Sequence, residues 1–197
     1  MSKTAVLILA AGASKRIGKP KQLLPYKESN LLLEKIKQFQ SVEKVQVFVV
    51  LGAYFKEIMP MLRELPVKVV MNENWKEGMG SSLSKGIELI KKKELFGRVL
   101  ITLSDLPLME SSHYEDMIAL SKNAGKRIIQ TTYEQGAAGV PAVFDKSLFR
   151  RLSQLTDENG AKSLIKTYKK EVLELRSKTP FFDVDTLEAY QQLLKLS

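Results

Sequence analysis

Short, continuous apolar runs recur along this sequence with helical stretches between them. The runs are 4–10 (TAVLILA), 44–51 (KVQVFVVL), 67–71 (VKVVM), 98–103 (RVLITL), 127–132 (RIIQTT), 139–144 (GVPAVF) and 171–176 (EVLELR). A strand with one wet face alternates apolar and polar residues. A stretch such as 5–9, with no polar break, must be covered on both faces. The intervening segments have helical spacing: 31–40, 54–65 interrupted at Pro60, 82–93 with Leu83, Ile87 and Ile90 on one side, 112–123, 146–155, 160–170 and 186–196. This alternation predicts an α/β fold, doubly wound, with a mostly parallel sheet and helices on both faces. The pattern contains no long linker, low-complexity tract or repeat.

The 197 residues suit one α/β domain with a sizeable core. There is no cysteine, hence no disulfide framework and no thiolate chemistry. The one histidine, His113, is read as a helix or surface residue, so neither a multi-histidine metal site nor a Ser-His-Asp triad is expected. The first residues superficially resemble a signal peptide, but basic residues follow the apolar run at once, so 4–10 is read as a first strand. No run approaches the roughly 20 apolar residues of a membrane span. A cytoplasmic protein with no membrane partner is expected. The net charge of +9 comes from lysines spread through the chain and not interleaved with aromatics, which reads as a solvated surface. No nucleic-acid partner is expected; one would need a contiguous basic face away from the strand ends.

In open α/β sheets ligands bind beyond the carboxyl ends of the strands. Three polar segments sit there: 11–21, 72–82 and 104–107. The first lies within LILAAGASKRIGKPKQLLPY, residues 7–26. Gly12 lets backbone amides approach phosphate oxygens, Arg16 offers a planar fork, and Lys21 a point charge. It is not a Walker A loop: five residues separate Gly12 from Gly18, and Pro20 stands where a magnesium-binding hydroxyl belongs. It also lacks the spacing of a dinucleotide fingerprint. Asp105, following the 98–103 run and preceding Leu106-Pro107, is a candidate Mg²⁺ ligand, since magnesium takes one or two carboxylates plus phosphates and water.

The first loop, with its L-A-A-G-x-S-x-R-I-G-x-x-K-Q-L-L-P pattern, resembles the MobA-like nucleotidyltransferases, most closely the molybdenum cofactor cytidylyltransferases. NENWKEGMGSSLSKGI, LITLSDLPLM, GVPAVF, DENGAKSLI and DVDTLEAY resemble further landmarks of that family, in the same order. Ile17 departs from the usual Met, and the segment before 31–40 lacks the customary glycines. The resemblance implies one domain over 1–197 with the nucleotide-diphospho-sugar transferase-like fold. It also implies transfer of a CMP group from CTP to the phosphate of a molybdopterin-type cofactor, with release of pyrophosphate and with Mg²⁺ as cofactor. A molybdoenzyme that receives the product is the implied protein partner.

By the same resemblance, Arg16, Lys21 and Asp105 are catalytic, and Leu9, Ala10, Ala11 and Gly12, with Gly78, Gly80, Ser81 and Ser82, line the nucleotide. Asp185 resembles the second metal carboxylate, with Asp183 as its competitor, although Asp185-Thr186 also reads as a helix cap. Gly139, Pro141, Asn159 and Gly160 would border the acceptor pocket. Trp75 is read as packing, not base stacking. Two other functions fit much of this pattern: a sugar- or alcohol-phosphate nucleotidyltransferase, and a non-catalytic protein that binds and delivers a nucleotide or cofactor.

Overall fold

The computed structural model describes residues 3–134, 136–156, 158 and 160–196. In chain order the elements are β1 (Lys3–Ala10), β2 (Pro25–Tyr26), β3 (Ser29–Asn30), α1 (Leu31–Lys37), β4 (Val45–Leu51), α2 (Phe55–Leu62), β5 (Val67–Met71), α3 (Met79–Lys92), β6 (Phe96–Leu103), α4 (Ser111–Asn123), β7 (Ile128–Thr132), β8 (Ala138–Asp145), α5 (Phe149–Leu152), α6 (Lys162–Thr167), β9 (Val172–Arg176) and α7 (Leu187–Lys195). All the strands but β2 and β3 form one seven-stranded sheet in the order β5-β4-β1-β6-β8-β7-β9. Pairing is parallel except at β8, which runs antiparallel to both β6 and β7. The fold is therefore the mostly parallel α/β sheet the alternation predicts.

The unbroken apolar runs serve two cores. Along β1, Ala5, Leu7 and Leu9 face a cluster completed by Leu83, Ile87 and Ile90 of α3, while Val6, Ile8 and Ala10 face one completed by α1, α2 and α4. A side chain on Gly86 of α3 would place its Cβ 2.5 Å from Leu7 Cδ1, so only glycine lets this helix lie so close to the central strand. That close approach sets where the N-terminus of α3 emerges beside the strand ends. A third cluster, with Ile17, Leu24, Leu31, Val184 and Leu193, holds α7 and the β2–β3 hairpin against the first loop.

Local differences from the sequence reading have local causes. α2 passes through Pro60 to Leu62: the missing amide would have served the carbonyl of exposed Lys56, near the helix end, where its loss matters least. The stretch 146–155 is a tight turn, Lys146–Leu148, followed by the short α5, because the Asp145 side chain accepts from the Ser147 amide and winds the start. No helix among the described residues is long and apolar enough to cross a membrane.

Candidate active site

The loop after β1 holds its carbonyls on one side. Ala10 and Gly12 O accept from Gln22 Nε2 at 2.8 and 3.2 Å, Ala11 O from the Ala53 amide at 3.1 Å, and Ala13 O from the Tyr54 hydroxyl at 3.0 Å. The amides of residues 12–16 donate to no acceptor among the described residues. Gly12 is exposed, and a Cβ there would meet nothing within 4 Å. Ser14, at φ 50°, turns the loop; its carbonyl accepts from the amides of Ile17 and Gly18, both at 3.0 Å. A run of free amides with its carbonyls tied back is an anion-binding concavity. Leu9, Ala10 and Ala11 are buried, so they shape this loop from below.

Arg16, Lys21, Asp105 and Asp185 meet beside it. Lys21 Nζ donates to Asp105 Oδ2 and, at 2.5 Å, to Asp185 Oδ1. Arg16 Nη1 lies 3.4 Å from Asp185 Oδ2, with its side chain 72% exposed. Burial opposes the charge on Lys21, but Asp105 and Asp185 outweigh it and raise its pKa above the ordinary lysine value. The 183–185 segment is fixed by the backbone: the Val184 amide donates to Asp105 O at 3.0 Å. Asp183 stands nearby, its pKa raised by burial and by the charges of Asp185 and Asp105. Thr186, not Asp185, caps α7, accepting from the Ala189 amide at 3.2 Å. Asp185 is thus free to face Lys21.

These carboxylates fit a divalent cation. Asp105 Oδ1 is buried without a hydrogen-bond partner among the described residues, an oxygen left with lone pairs to give. No cluster of three or more metal-type side chains occurs among the described residues. Two carboxylates, with phosphate and water supplying the rest, is a usual donor set for magnesium.

The 72–82 segment is organised by a residue the sequence reading did not single out. Asn72, buried at the end of β5, donates through Nδ2 to Ser81 Oγ (3.0 Å) and Ser82 Oγ (2.9 Å), and its Oδ1 accepts from the Asn74 amide (3.1 Å). Ser82 is buried, and the Ser81 hydroxyl is shared by the carbonyls of Asn74 and Gly78. Both hydroxyls therefore brace the start of α3. Gly78 sits at φ 103°, and Gly80 is buried in the first turn of the helix. Trp75 packs against Gly52, where a Cβ would come within 2.6 Å of the Trp75 Cβ, in keeping with a packing role.

Of the residues assigned to an acceptor, Gly160 lies against Met79, and a Cβ on Gly78 would stand 3.0 Å from Glu158 Cα, so Glu158 and Gly160 abut the 78–80 turn. Asn159 lies outside the described residues. Gly139 and the buried Pro141 lie at the start of β8, which runs antiparallel to β6 with Ala142 opposite Ile101, so they stand at the carboxyl edge of the sheet beside the end of β6. His113 is on α4 as expected but buried, not at the surface; its Nε2 lies 2.9 Å from Thr131 Oγ1, and burial lowers its pKa. Thr131 Oγ1 donates to Pro141 O at 2.8 Å, so the His113 nitrogen is the donor to it. An open groove of about 530 Å³ runs along α3 past Asn72, Asn74, Ser81 and Lys85 and includes none of the four charged residues at the strand ends.

A loop of amides without an acceptor among the described residues and a pair of carboxylates bridged by Lys21, at the carboxyl edge of a mostly parallel sheet, form an arrangement suited to phosphate in an α/β protein. The chain belongs to the MobA-like NTP transferase family, whose pattern matches residues 6–172. It is 28% identical to nicotine blue oxidoreductase of Paenarthrobacter nicotinovorans, over 95% of each chain. It is 27% identical to the purine catabolism protein PucB of Bacillus subtilis, over 95% of this chain and 94% of that one. Among solved structures, Rv0371c of Mycobacterium tuberculosis H37Rv superposes with a TM-score of 0.87 at 26% identity, over 98% of both chains. A second structure of that protein, a complex with manganese, gives 0.83 at 24% identity over 98% of both chains.

Proposed function

We propose that the chain transfers a CMP group from CTP to the phosphate of a molybdopterin-type molybdenum cofactor, releasing pyrophosphate. The observation that carries this reading is the loop whose carbonyls at residues 10–13 are all tied back while its amides at 12–16 donate to no acceptor among the described residues, with Lys21 just beyond them held by Asp105 and Asp185. Such a surface suits a triphosphate beside a cation. The attacking phosphate is already anionic, so the reaction needs charge neutralisation and in-line placement more than a base. The amides of residues 12–16 would receive phosphate oxygens, and exposed Arg16 would close over them. Lys21, now paired with both aspartates, would turn one donor to phosphate. Gln22 keeps the loop in shape. Asp105 and Asp185 would hold Mg²⁺, which when bound offsets the charge that builds on the phosphates.

The proposed domain spans 1–197, beyond the matched 6–172, because Asp185 completes the site. Ala11, Gly78, Gly80, Ser81 and Ser82 would border the nucleoside, and Gly139, Pro141, Asn159 and Gly160 the acceptor. One relative bears the name of an oxidoreductase; the carboxylates and ammonium of this site are groups that organise phosphate. The test is pyrophosphate release with each of the four nucleoside triphosphates and Mg²⁺, with and without the molybdopterin-type cofactor. Acceptor-dependent release, greatest with CTP, is expected. No release under any combination overturns the transferase reading; release with another phosphorylated acceptor only moves it to that substrate.

A further inference from the structure

Beneath the aspartates lies a lysine with no place in the mechanism above. Lys35 of α1 is 1% exposed. Its Nζ is 2.7 Å from Leu106 O, 2.8 Å from the Tyr114 hydroxyl and 2.7 Å from Gln38 Oε1. Gln38 Nε2 in turn donates to Pro107 O at 3.4 Å. A side chain of α1 and that of its C-terminal cap thus reach two consecutive carbonyls of the turn that follows Asp105. A buried ammonium is expensive, and three well-placed acceptors are what make it tolerable. If the turn only needed its Leu106 carbonyl satisfied, a neutral donor would serve at lower cost.

We propose that Lys35 is a positioning residue for the site: its Nζ donors, with Gln38, fix the Leu106-Pro107 turn from inside the protein and so set where Asp105 presents its carboxylate. Asp105 is held on three sides. Lys21 takes Oδ2, the Val184 amide takes the backbone carbonyl, and Lys35 takes the next carbonyl along the chain. Lys35 touches neither phosphate nor Asp105 itself, and acts only through the turn. Burial pushes its pKa down to about 7, and the charge of Asp105 works against that fall, so the two groups sense each other electrostatically. The proposal rests on the reading of Asp105 as the cation ligand.

The experiment uses the full chain and two variants, Lys35→Met and Gln38→Met, with three readouts: Mn²⁺ affinity by electron paramagnetic resonance in the presence of a non-hydrolysable CTP analogue, kcat and KM for CTP, and thermal melting. For Lys35→Met the expected result is a folded protein whose Mn²⁺ affinity and kcat each fall tenfold or more, with KM for CTP within threefold. For Gln38→Met a smaller fall of the same kind, threefold or more, is expected. A folded Lys35→Met protein with Mn²⁺ affinity and kcat within twofold of the parent overturns the proposal, even if its melting temperature moves. Should Lys35→Met fail to fold, Gln38→Met decides, and unchanged Mn²⁺ affinity there overturns it. If the parent binds Mn²⁺ but turns over no nucleotide, the transferase reading fails while the Mn²⁺ comparison still judges Lys35. If the parent binds no Mn²⁺, the proposal falls with its premise about Asp105.

Discussion

Lys21 and Asp185, 164 positions apart in the chain, meet at 2.5 Å with the Asp105 carboxylate on the other side of the same ammonium. A positive charge between two carboxylates occupies the kind of place a divalent cation takes. Asp105→Ala should therefore leave the fold intact and cut turnover by several orders of magnitude. A folded variant retaining more than about a tenth of the parent rate, a span of ~1.4 kcal/mol, shows that Asp105 is not the metal anchor. Lys21→Met should slow turnover and weaken CTP binding, yet let Mn²⁺ alone bind more tightly, because the competing ammonium is gone. Weaker Mn²⁺ binding in that variant, measured without nucleotide, would count against the competition.

Arg16 is exposed, and its contact with Asp185 at 3.4 Å is a surface pair. Exposed pairs contribute about 0–1 kcal/mol. Arg16→Ala is expected to melt with the parent while its Kd for CTP rises tenfold or more. Equal affinity, measured by calorimetry, returns Arg16 to the status of a surface charge.

Gln22 is 1% exposed and ties Ala10 O to Gly12 O. Leaving those carbonyls without their donor costs about 1–3 kcal/mol where they are buried. Gln22→Met is expected to lower stability by that order in urea unfolding and to weaken CTP binding as well, although Gln22 lies behind the loop. Lost stability with unchanged affinity would separate the shape of the loop from its binding.

The stability of the protein should also carry a signature of Lys35. Its pKa is about 7 folded against 10.5 ordinarily, so between those values the unfolded chain holds a proton the folded one has released. Stability then rises with pH across that window. The cost of the buried charge is fully present below pH 7 and relieved towards pH 10.5, on the order of 5 kcal/mol in total. The titratable groups facing Lys35 are the Tyr114 phenol, whose pKa burial raises, and, through space, Asp105. Urea unfolding of the parent and of Lys35→Met from pH 7 to 10 should show the parent gaining on the variant as pH rises. A constant difference would mean that Lys35 keeps one charge state throughout.

Choice of base should depend in part on Ala11. It follows β1 directly, at 5% exposure, its carbonyl held by the Ala53 amide. CTP is expected to exceed GTP in kcat/KM. A methyl-sized change is worth about 1–3 kcal/mol, roughly 10- to 200-fold, so Ala11→Gly should shrink that ratio without reversing it. Equal or better use of GTP by the parent would defeat the cytidylyl assignment and leave nucleotidyl transfer standing.

The strands were legible because each is an unbroken apolar run, and an unbroken run has few alternatives to burial on both faces. Asp105 was legible for the same reason, as the acid that follows such a run. Gln22, Asn72 and Lys35 were not, because each takes its role from atoms elsewhere: Gln22 and Lys35 from backbone carbonyls, Asn72 from hydroxyls on the next helix. Lys35 did leave a trace. It falls four residues after Leu31 and four before Phe39, on the apolar side of its helix, where a charge is out of place. The serines at 81 and 82 could be located but not assigned an orientation, since that depends on Asn72. The reversed direction of β8 escaped because an apolar run reads the same either way.

The hydrogen bond from Val184 to Asp105 has a consequence for how the protein breathes. A ligand resting on the loop at 12–16 and on Asp185 joins the turn after β1 to the segment that leads into α7, so it can be held only while both are in place. Fraying at α7 becomes a leak in the site, and a bound nucleotide becomes a brake on that fraying. A protease cutting within α7 would thus be slowed by a molecule that touches no residue of the helix being cut.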